Sequence, residues 1–180
     1  MTHNNSTIGV IGAGAWGTAI AKLLSDKNSN VLLWAKEIKV KKDIEKTRIN
    51  KTYLDKIKIG KSLKVTNCLE ELKGFDIIFV VVPTQYIQAT LKPLKKIINK
   101  KCILVNCAKG IDIKSTSLIS EVISKVFPDN RLAVMSGPNF ALEIALGKPT
   151  ASLIAAQKIS DAKFIANLIS SRSFRPYLSN

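Results

Sequence analysis

Thr7-Ile8-Gly9-Val10-Ile11-Gly12-Ala13-Gly14-Ala15-Trp16-Gly17-Thr18-Ala19-Ile20-Ala21 is the stretch on which the reading turns. A short apolar run passes directly into a G-x-G-x-x-G at Gly12, Gly14 and Gly17, and then into a segment with helical spacing. Between a strand and a helix these glycines have separate duties. Gly12 permits a tight turn, Gly14 lets the main chain approach a pyrophosphate, and Gly17 lets the helix lie close to the strand. Free amides at the helix start, aided by its dipole, favour negative phosphates. A glycine turn that only packs would leave the same string. The flanking strand and helix, with a second strand some 20 residues on, favour a dinucleotide site.

On either side of this stretch, short β-branched runs alternate with longer helical patterns. The runs predict strands at Thr7–Ile11, Asn30–Trp34, Leu63–Thr66, Asp76–Val82, Cys102–Asn106, Arg131–Met135, Thr150–Ala155 and Ser173–Leu178. The helical spacing predicts helices at Ala15–Ser25, Ile38–Arg48, Thr84–Ile98, Ser115–Val126, Pro138–Leu146 and Ser160–Ser170. Ser115 and Ser160 suit N-caps, and Pro138 suits a first helical turn. Ile77-Ile78-Phe79-Val80-Val81-Val82 is apolar on both faces of a strand, which requires cover above and below. The expectation is an α/β fold: a Rossmann-type, doubly wound, mostly parallel sheet with helices on both faces. No repeat or linker divides the chain, so residues 1–180 read as one dinucleotide-binding domain.

Composition narrows the classes. With 46% hydrophobic and 23% charged residues, the 180-residue chain has a globular mixture. No apolar run reaches the roughly 18 residues of a membrane span. The formal charge of +15 invites a nucleic-acid reading. Against it, only Arg48, Arg131, Arg172 and Arg175 among the 28 basic residues are arginine, and no aromatic residues interleave with the lysines for stacking. A lysine-rich solvated surface is the preferred account. Cys68, Cys102 and Cys107 are an odd count without metal-ligand spacing, which suits buried, reduced thiols in a cytoplasmic protein and no metal. His3, the single histidine, sits in a polar tail and is assigned no role.

Four loops complete the candidate site. After the second strand, Lys36 stands where a cation would accept the 2′-phosphate of NADP, with Glu37 beside it, so NADP is preferred modestly over NAD. Pro83 ends the fourth strand, and Thr84 can cap the next helix. That turn should face the cofactor, because ligands of parallel sheets lie beyond the strands' carboxyl ends. Lys109, followed by Gly110, ends the fifth strand, and its ammonium could hold a substrate phosphate or polarise a carbonyl. Gly137 and Pro138 follow the sixth strand, and a helix opening at Pro138 would offer free amides to a second polar ligand. Gly147 suits a C-cap before Pro149.

Three separated segments carry a family resemblance: IGAGAWGTAIA at Ile11–Ala21, NCAKGID at Asn106–Asp112 and SGPNFALEIALGKPTA at Ser136–Ala151. Weaker matches are LWAKE at Leu33–Glu37, TYL at Thr52–Leu54, VVPTQ at Val81–Gln85 and SFRPYLSN at Ser173–Asn180. With them the chain resembles the N-terminal part of the bacterial-type NAD(P)-dependent glycerol-3-phosphate dehydrogenases. The resemblance implies reversible hydride transfer between NADPH or NADH and dihydroxyacetone phosphate, giving sn-glycerol 3-phosphate for phospholipid synthesis. It implies cofactor contacts from Ala15, Trp16, Lys36, Tyr53, Lys109 and Ala141, and substrate contacts from Lys109, Gly137 and Asn139. The family usually has Ser or Thr at Asn139, and often Arg or His at Lys36. It further implies a helical C-terminal domain carrying the proton-donor lysine, neither of which is in residues 1–180, and a homodimer for the full-length form. On that reading the chain binds cofactor without full activity. Two other readings stay open: a non-catalytic dinucleotide-binding module, and another nicotinamide-dependent hydroxy-acid dehydrogenase.

Overall fold

A computed structural model describes residues 6–179; His3 lies outside the described residues. In chain order the elements are β1 (Ile8–Ile11), α1 (Ala15–Ser25), β2 (Val31–Trp34), α2 (Ile38–Thr47), β3 (Ile49–Asn50), β4 (Leu54–Lys58), β5 (Lys64–Thr66), β6 (Ile77–Val80), α3 (Ile87–Leu91), β7 (Ile103–Asn106), β8 (Ile111–Asp112), β9 (Ser117–Leu118), α4 (Ile119–Val126), β10 (Arg131–Ser136), α5 (Ala141–Ala145), β11 (Thr150–Ala156), α6 (Ile159–Ile169) and β12 (Phe174–Ser179).

Eight strands form one sheet in the order β12-β11-β10-β7-β6-β1-β2-β5. The six from β10 to β5 are mutually parallel; β11 runs antiparallel to β10, and β12 follows β11 in parallel. Every residue of β1, β2, β6 and β7 is buried, as runs apolar on both faces demand. Alternate residues feed two cores. Ile77 and Phe79 pack with Ala19, Ile20 and Leu24 of α1 and with Ile165 of α6. Ile78 and Val80 pack on the opposite face with Ile87 and Leu91 of α3 and Ile123 of α4. Helices on both faces make the fold the doubly wound α/β sheet that the alternation predicts. The chain leaves β1 toward β2 on one side and later places β6 on the other, so the strand order reverses at β1. At such a point a crevice opens beyond the carboxyl ends of the strands.

Local departures have local causes. The expected helix Thr84–Ile98 is broken into a 3-10 turn at Thr84–Tyr86, the five-residue α3 and a second 3-10 turn at Lys92–Lys96. Pro93, at the start of that second turn, has no amide to donate and crowds the turn before it. Ser115 caps nothing: its amide and hydroxyl both donate to the Asp112 carboxylate, at 2.8 and 2.6 Å, and close the β8–β9 hairpin. α4 therefore starts at Ile119, where Glu121 reaches back to the Leu118 amide at 3.2 Å. α6 starts one residue before Ser160, with Lys158 at the N-cap. The sequence patterns showed neither β3–β4 nor β8–β9. In β4 the buried residues Leu54 and Ile57 are three apart, and β3 shifts register against it. β8 and β9 have two residues each, too short for a periodicity.

Candidate functional site: a crevice at the carboxyl edge of the sheet

The glycine loop shows three different constraints. Gly12 has φ +112°, and a Cβ there would stand 2.7 Å from the Val81 carbonyl oxygen, so only glycine fits where β1 turns against β6. A Cβ on Gly17 would lie 1.7 Å from the Gly12 carbonyl oxygen, so α1 can approach the loop only without a side chain. Gly14 is the opposite case: a Cβ would meet nothing within 4 Å. Its φ −67° and ψ −177° are open to any residue. Neither packing nor backbone strain asks for glycine here, which leaves space for a ligand beside the main chain. No side chain caps α1, whose N-cap is Gly14. The first-turn amides and the positive end of an eleven-residue helix therefore border that space. A cradle of this kind fits a dinucleotide diphosphate.

Asn50, on β3, holds the loop in shape and was not anticipated from the sequence. It is fully buried. Its Nδ2 donates to the Ala13 carbonyl and to Thr18 Oγ1, both at 2.8 Å, and its Oδ1 accepts from the Tyr53 amide at 3.2 Å. An asparagine three residues before Tyr53 was the available signal, but nothing local says that its partner is 37 residues upstream.

The remaining candidates gather along the same edge. Lys36 follows β2, exposed, with Nζ 6.0 Å from the centre of the Tyr86 ring. Glu37 accepts the Tyr53 hydroxyl at 3.1 Å, and this bond, reinforced by the carboxylate charge, raises the phenol above its ordinary value. Trp16 donates its indole N–H to the Cys107 carbonyl at 3.2 Å, tying α1 to the end of β7. Ala15, Trp16 and Ala141 all pack, partly buried, on the core that α1 covers. Pro83 is exposed in the turn after β6, and the next residue, Thr84, caps no helix but donates its hydroxyl to the Lys109 carbonyl at 2.5 Å. Lys109 is exposed, and its ammonium donates to the Gly137 carbonyl at 2.9 Å. Two residues singled out separately from sequence are thus in direct contact.

The segment after β10 differs from expectation. No helix opens at Pro138; α5 is five residues long and begins at Ala141. The Asn139 amide donates to the Gly137 carbonyl at 2.8 Å, a three-residue turn centred on Pro138, whose ring fixes a suitable φ. Asn139 is also held sideways: its Nδ2 donates to the Ala151 carbonyl at 2.9 Å and its Oδ1 accepts the Ser152 hydroxyl at 3.2 Å. The expected set of helix-start amides at Pro138 is therefore absent. What points from this turn toward Lys109 is the Gly137 carbonyl. The expected C-cap is present: Gly147 follows the last turn of α5 with φ +74°.

Of the three thiols, Cys102 and Cys107 are buried and Cys68 is exposed, a correction to the expectation that all would be buried. Burial pushes the Cys102 thiol up to about 12 and raises Cys107 as well.

A switch-point crevice with a glycine loop leading into an uncapped helix defines a dinucleotide-binding α/β domain. Comparison with known proteins narrows that class. Residues 7–162 match the profile of the family described as NAD-dependent glycerol-3-phosphate dehydrogenase N-terminus, and the chain belongs to this family. A glycerol-3-phosphate dehydrogenase [NAD(P)+] of Hyphomonas neptunium is 39% identical over 178 residues, covering 99% of this chain and 53% of that protein. One of Erythrobacter litoralis is 36% identical over 173 residues, covering 96% and 52%. The crystal structure of the glycerol-3-phosphate dehydrogenase of Coxiella burnetii superposes with a TM-score of 0.91 at 30% identity, covering 97% of this chain and 54% of that one. The chain spans about half the length of the curated relatives it matches. Among the described residues, no helix is long and apolar enough to cross a membrane.

Proposed function

We propose that residues 1–180 act as one domain, the NAD(P)-binding part of a cytoplasmic glycerol-3-phosphate dehydrogenase. The domain would hold the cofactor against dihydroxyacetone phosphate or sn-glycerol 3-phosphate. The observation that carries this reading is the contrast within the loop: Gly12 and Gly17 are required by their own surroundings, whereas Gly14 faces open space at a helix start. Only a ligand gives Gly14 a reason to lack a side chain. The diphosphate would lie on the amides of Gly14, Ala15 and Trp16. Pro83 and Ala141 would flank the cofactor. Lys36 would face a 2′-phosphate and favour NADP, because the neighbouring Glu37 carboxylate is already engaged by the Tyr53 hydroxyl.

The bound nicotinamide would supply the hydride equivalent for reduction of a ketone to an alcohol. The chain's own part is binding and charge. The Lys109 ammonium has three donors, one of which meets the Gly137 carbonyl. The others can reach a phosphate or carbonyl oxygen of the substrate and stabilise the charge that develops on it. Gly137 and Asn139 would line the substrate side, with Asn139 oriented by its bonds to Ala151 and Ser152. No lysine of residues 1–180 is assigned to protonating the alkoxide.

The test is titration of the chain with NADPH and NADH, followed by nicotinamide fluorescence. NADPH should bind more tightly, and Lys36→Ala should weaken NADPH by about tenfold, the scale of one lost charge-assisted contact, while sparing NADH. An unchanged NADPH-to-NADH ratio in Lys36→Ala would remove Lys36 from the 2′-phosphate. Absence of binding by either nucleotide would overturn the proposal.

A further inference from the structure

The loop that carries Lys109 has little apolar packing to hold it. Ile111 is 49% exposed and Ile113 is 74% exposed, and the β8–β9 hairpin has two residues per strand. A hairpin of that size has marginal stability on its own. Gly110, between Lys109 and the hairpin, has φ +91°, and a Cβ there would meet nothing within 4 Å, so no neighbouring group packs against this side of the junction. Yet the hairpin is anchored, and the anchor is polar. Gln85 Nε2 donates to the Ile111 carbonyl at 3.0 Å, and Gln85 Oε1 accepts the Ile113 amide at 3.1 Å. The carboxamide thus bonds the carbonyl of Ile111 on β8 and the amide of Ile113 in the turn just after it, the i and i+2 pattern by which a neighbouring strand would bond. The adjacent Thr84 hydroxyl holds the Lys109 carbonyl on the near side of Gly110.

We propose that Gln85 is a positioning residue for Lys109: through its two-point clasp on Ile111 and Ile113, the turn after β6 fixes the far side of the Gly110 hinge and so sets where the Lys109 ammonium stands. This rests on the reading of Lys109 as the substrate-facing cation. Its effect on the reaction runs through the placement of Lys109. The clasp makes the turn expected to face the cofactor and the loop expected to face the substrate one mechanical unit, so the lysine's position is referred to the cofactor side of the crevice.

The test uses the full 180-residue chain with lysines 13C-dimethylated, comparing Gln85→Met, which keeps the bulk and loses both bonds, with Gln85→Glu, which keeps the acceptor for Ile113. Gln85 is exposed, so both variants should melt close to the parent. In Gln85→Met, amide exchange at Ile113 should rise by about tenfold, the scale of two lost hydrogen bonds, and the Lys109 dimethyl resonance should move or broaden. NADPH affinity should not change. In Gln85→Glu, protection of Ile113 should return. Parent-like exchange at Ile113 and a parent-like Lys109 resonance in Gln85→Met would overturn the clasp. The reading of Lys109 is tested separately, by adding dihydroxyacetone phosphate to the NADPH-loaded parent. A Lys109 resonance that ignores it would refute the substrate role, while the exchange and resonance comparison between Gln85 variants still decides the clasp.

Discussion

Single methyl groups placed along the glycine loop should separate its structural glycines from its ligand-facing one. In Gly17→Ala the new Cβ would sit 1.7 Å from the Gly12 carbonyl oxygen, about half an ordinary contact. Backbone cannot swing aside as a flexible side chain can, so α1 must lift off β1, at a cost of about 3 kcal/mol or more. In Gly12→Ala a φ of +112° is joined to a 2.7 Å approach to Val81. Backbone strain alone costs about 1–3 kcal/mol there, and the clash adds to it. Gly14→Ala meets nothing within 4 Å and keeps an ordinary φ. Loss of unfolded-chain entropy should leave this variant as stable as the parent, or more stable by about 0.4–1 kcal/mol. The same methyl would stand where a diphosphate must approach the amides, so NADPH should bind at least about tenfold more weakly, or about 1.4 kcal/mol. Thermal melts by circular dichroism and NADPH fluorescence titrations measure the two quantities on the same samples. A Gly14→Ala protein that bound NADPH like the parent, or that melted as low as Gly17→Ala, would refute the assignment of the open space to a ligand.

Asn50→Ala removes a fully buried amide that holds both Ala13 and Thr18, and should cost about 1–3 kcal/mol in urea unfolding while weakening NADPH, whose loop it shapes. At pH 8 a maleimide should label Cys68 alone in the native chain, because burial holds Cys102 and Cys107 protonated and covered; mass spectrometry after brief labelling reads this, and fast labelling of Cys107 would contradict its burial. Asp112 is held below its usual value, first by the Ser115 hydroxyl and then by the Ser115 amide. Its contribution to stability is therefore present above the unfolded carboxylate value of about 3.9 and is lost as the pH falls through the lower folded value. Ser115→Ala should raise the Asp112 midpoint in a carboxyl NMR titration, and an unmoved midpoint would exclude the hydroxyl as the cause.

The sheet was legible because its signal is local. The apolar run from Ile77 to Val82, short and β-branched, reads as a strand covered on both sides, which β6 supplies at Ile77–Val80, and the loop glycines announce a turn into a helix. Positions claimed by partners outside the predicted element were not legible, whether those partners are near or far along the chain. Ser115 carries the letters of an N-cap, but Asp112, three residues back, claims both its donors. Pro138 suits a helix start, but Asn139 is tethered to Ala151 and Ser152 on the returning β11 and stays out of the helix. Lys109 could be singled out by its place after a strand, whereas the carbonyl that receives it belongs to a turn 28 residues later. Asn50 has a local partner in the Tyr53 amide, but neither it nor Gln85 announces its long-range ones: Ala13 and Thr18 are 37 and 32 residues from Asn50, and Ile111 and Ile113 are 26 and 28 from Gln85.

On the proposed reading, the glycine loop would meet a diphosphate with peptide groups and no functional side chain. A surface made of peptide groups cannot be retuned by exchanging one amino acid for another, only damaged. Altering which nucleotide the protein prefers would therefore leave residues 12–17 untouched and work at the rim, on Lys36, on Glu37 and on the tyrosine that keeps that carboxylate occupied.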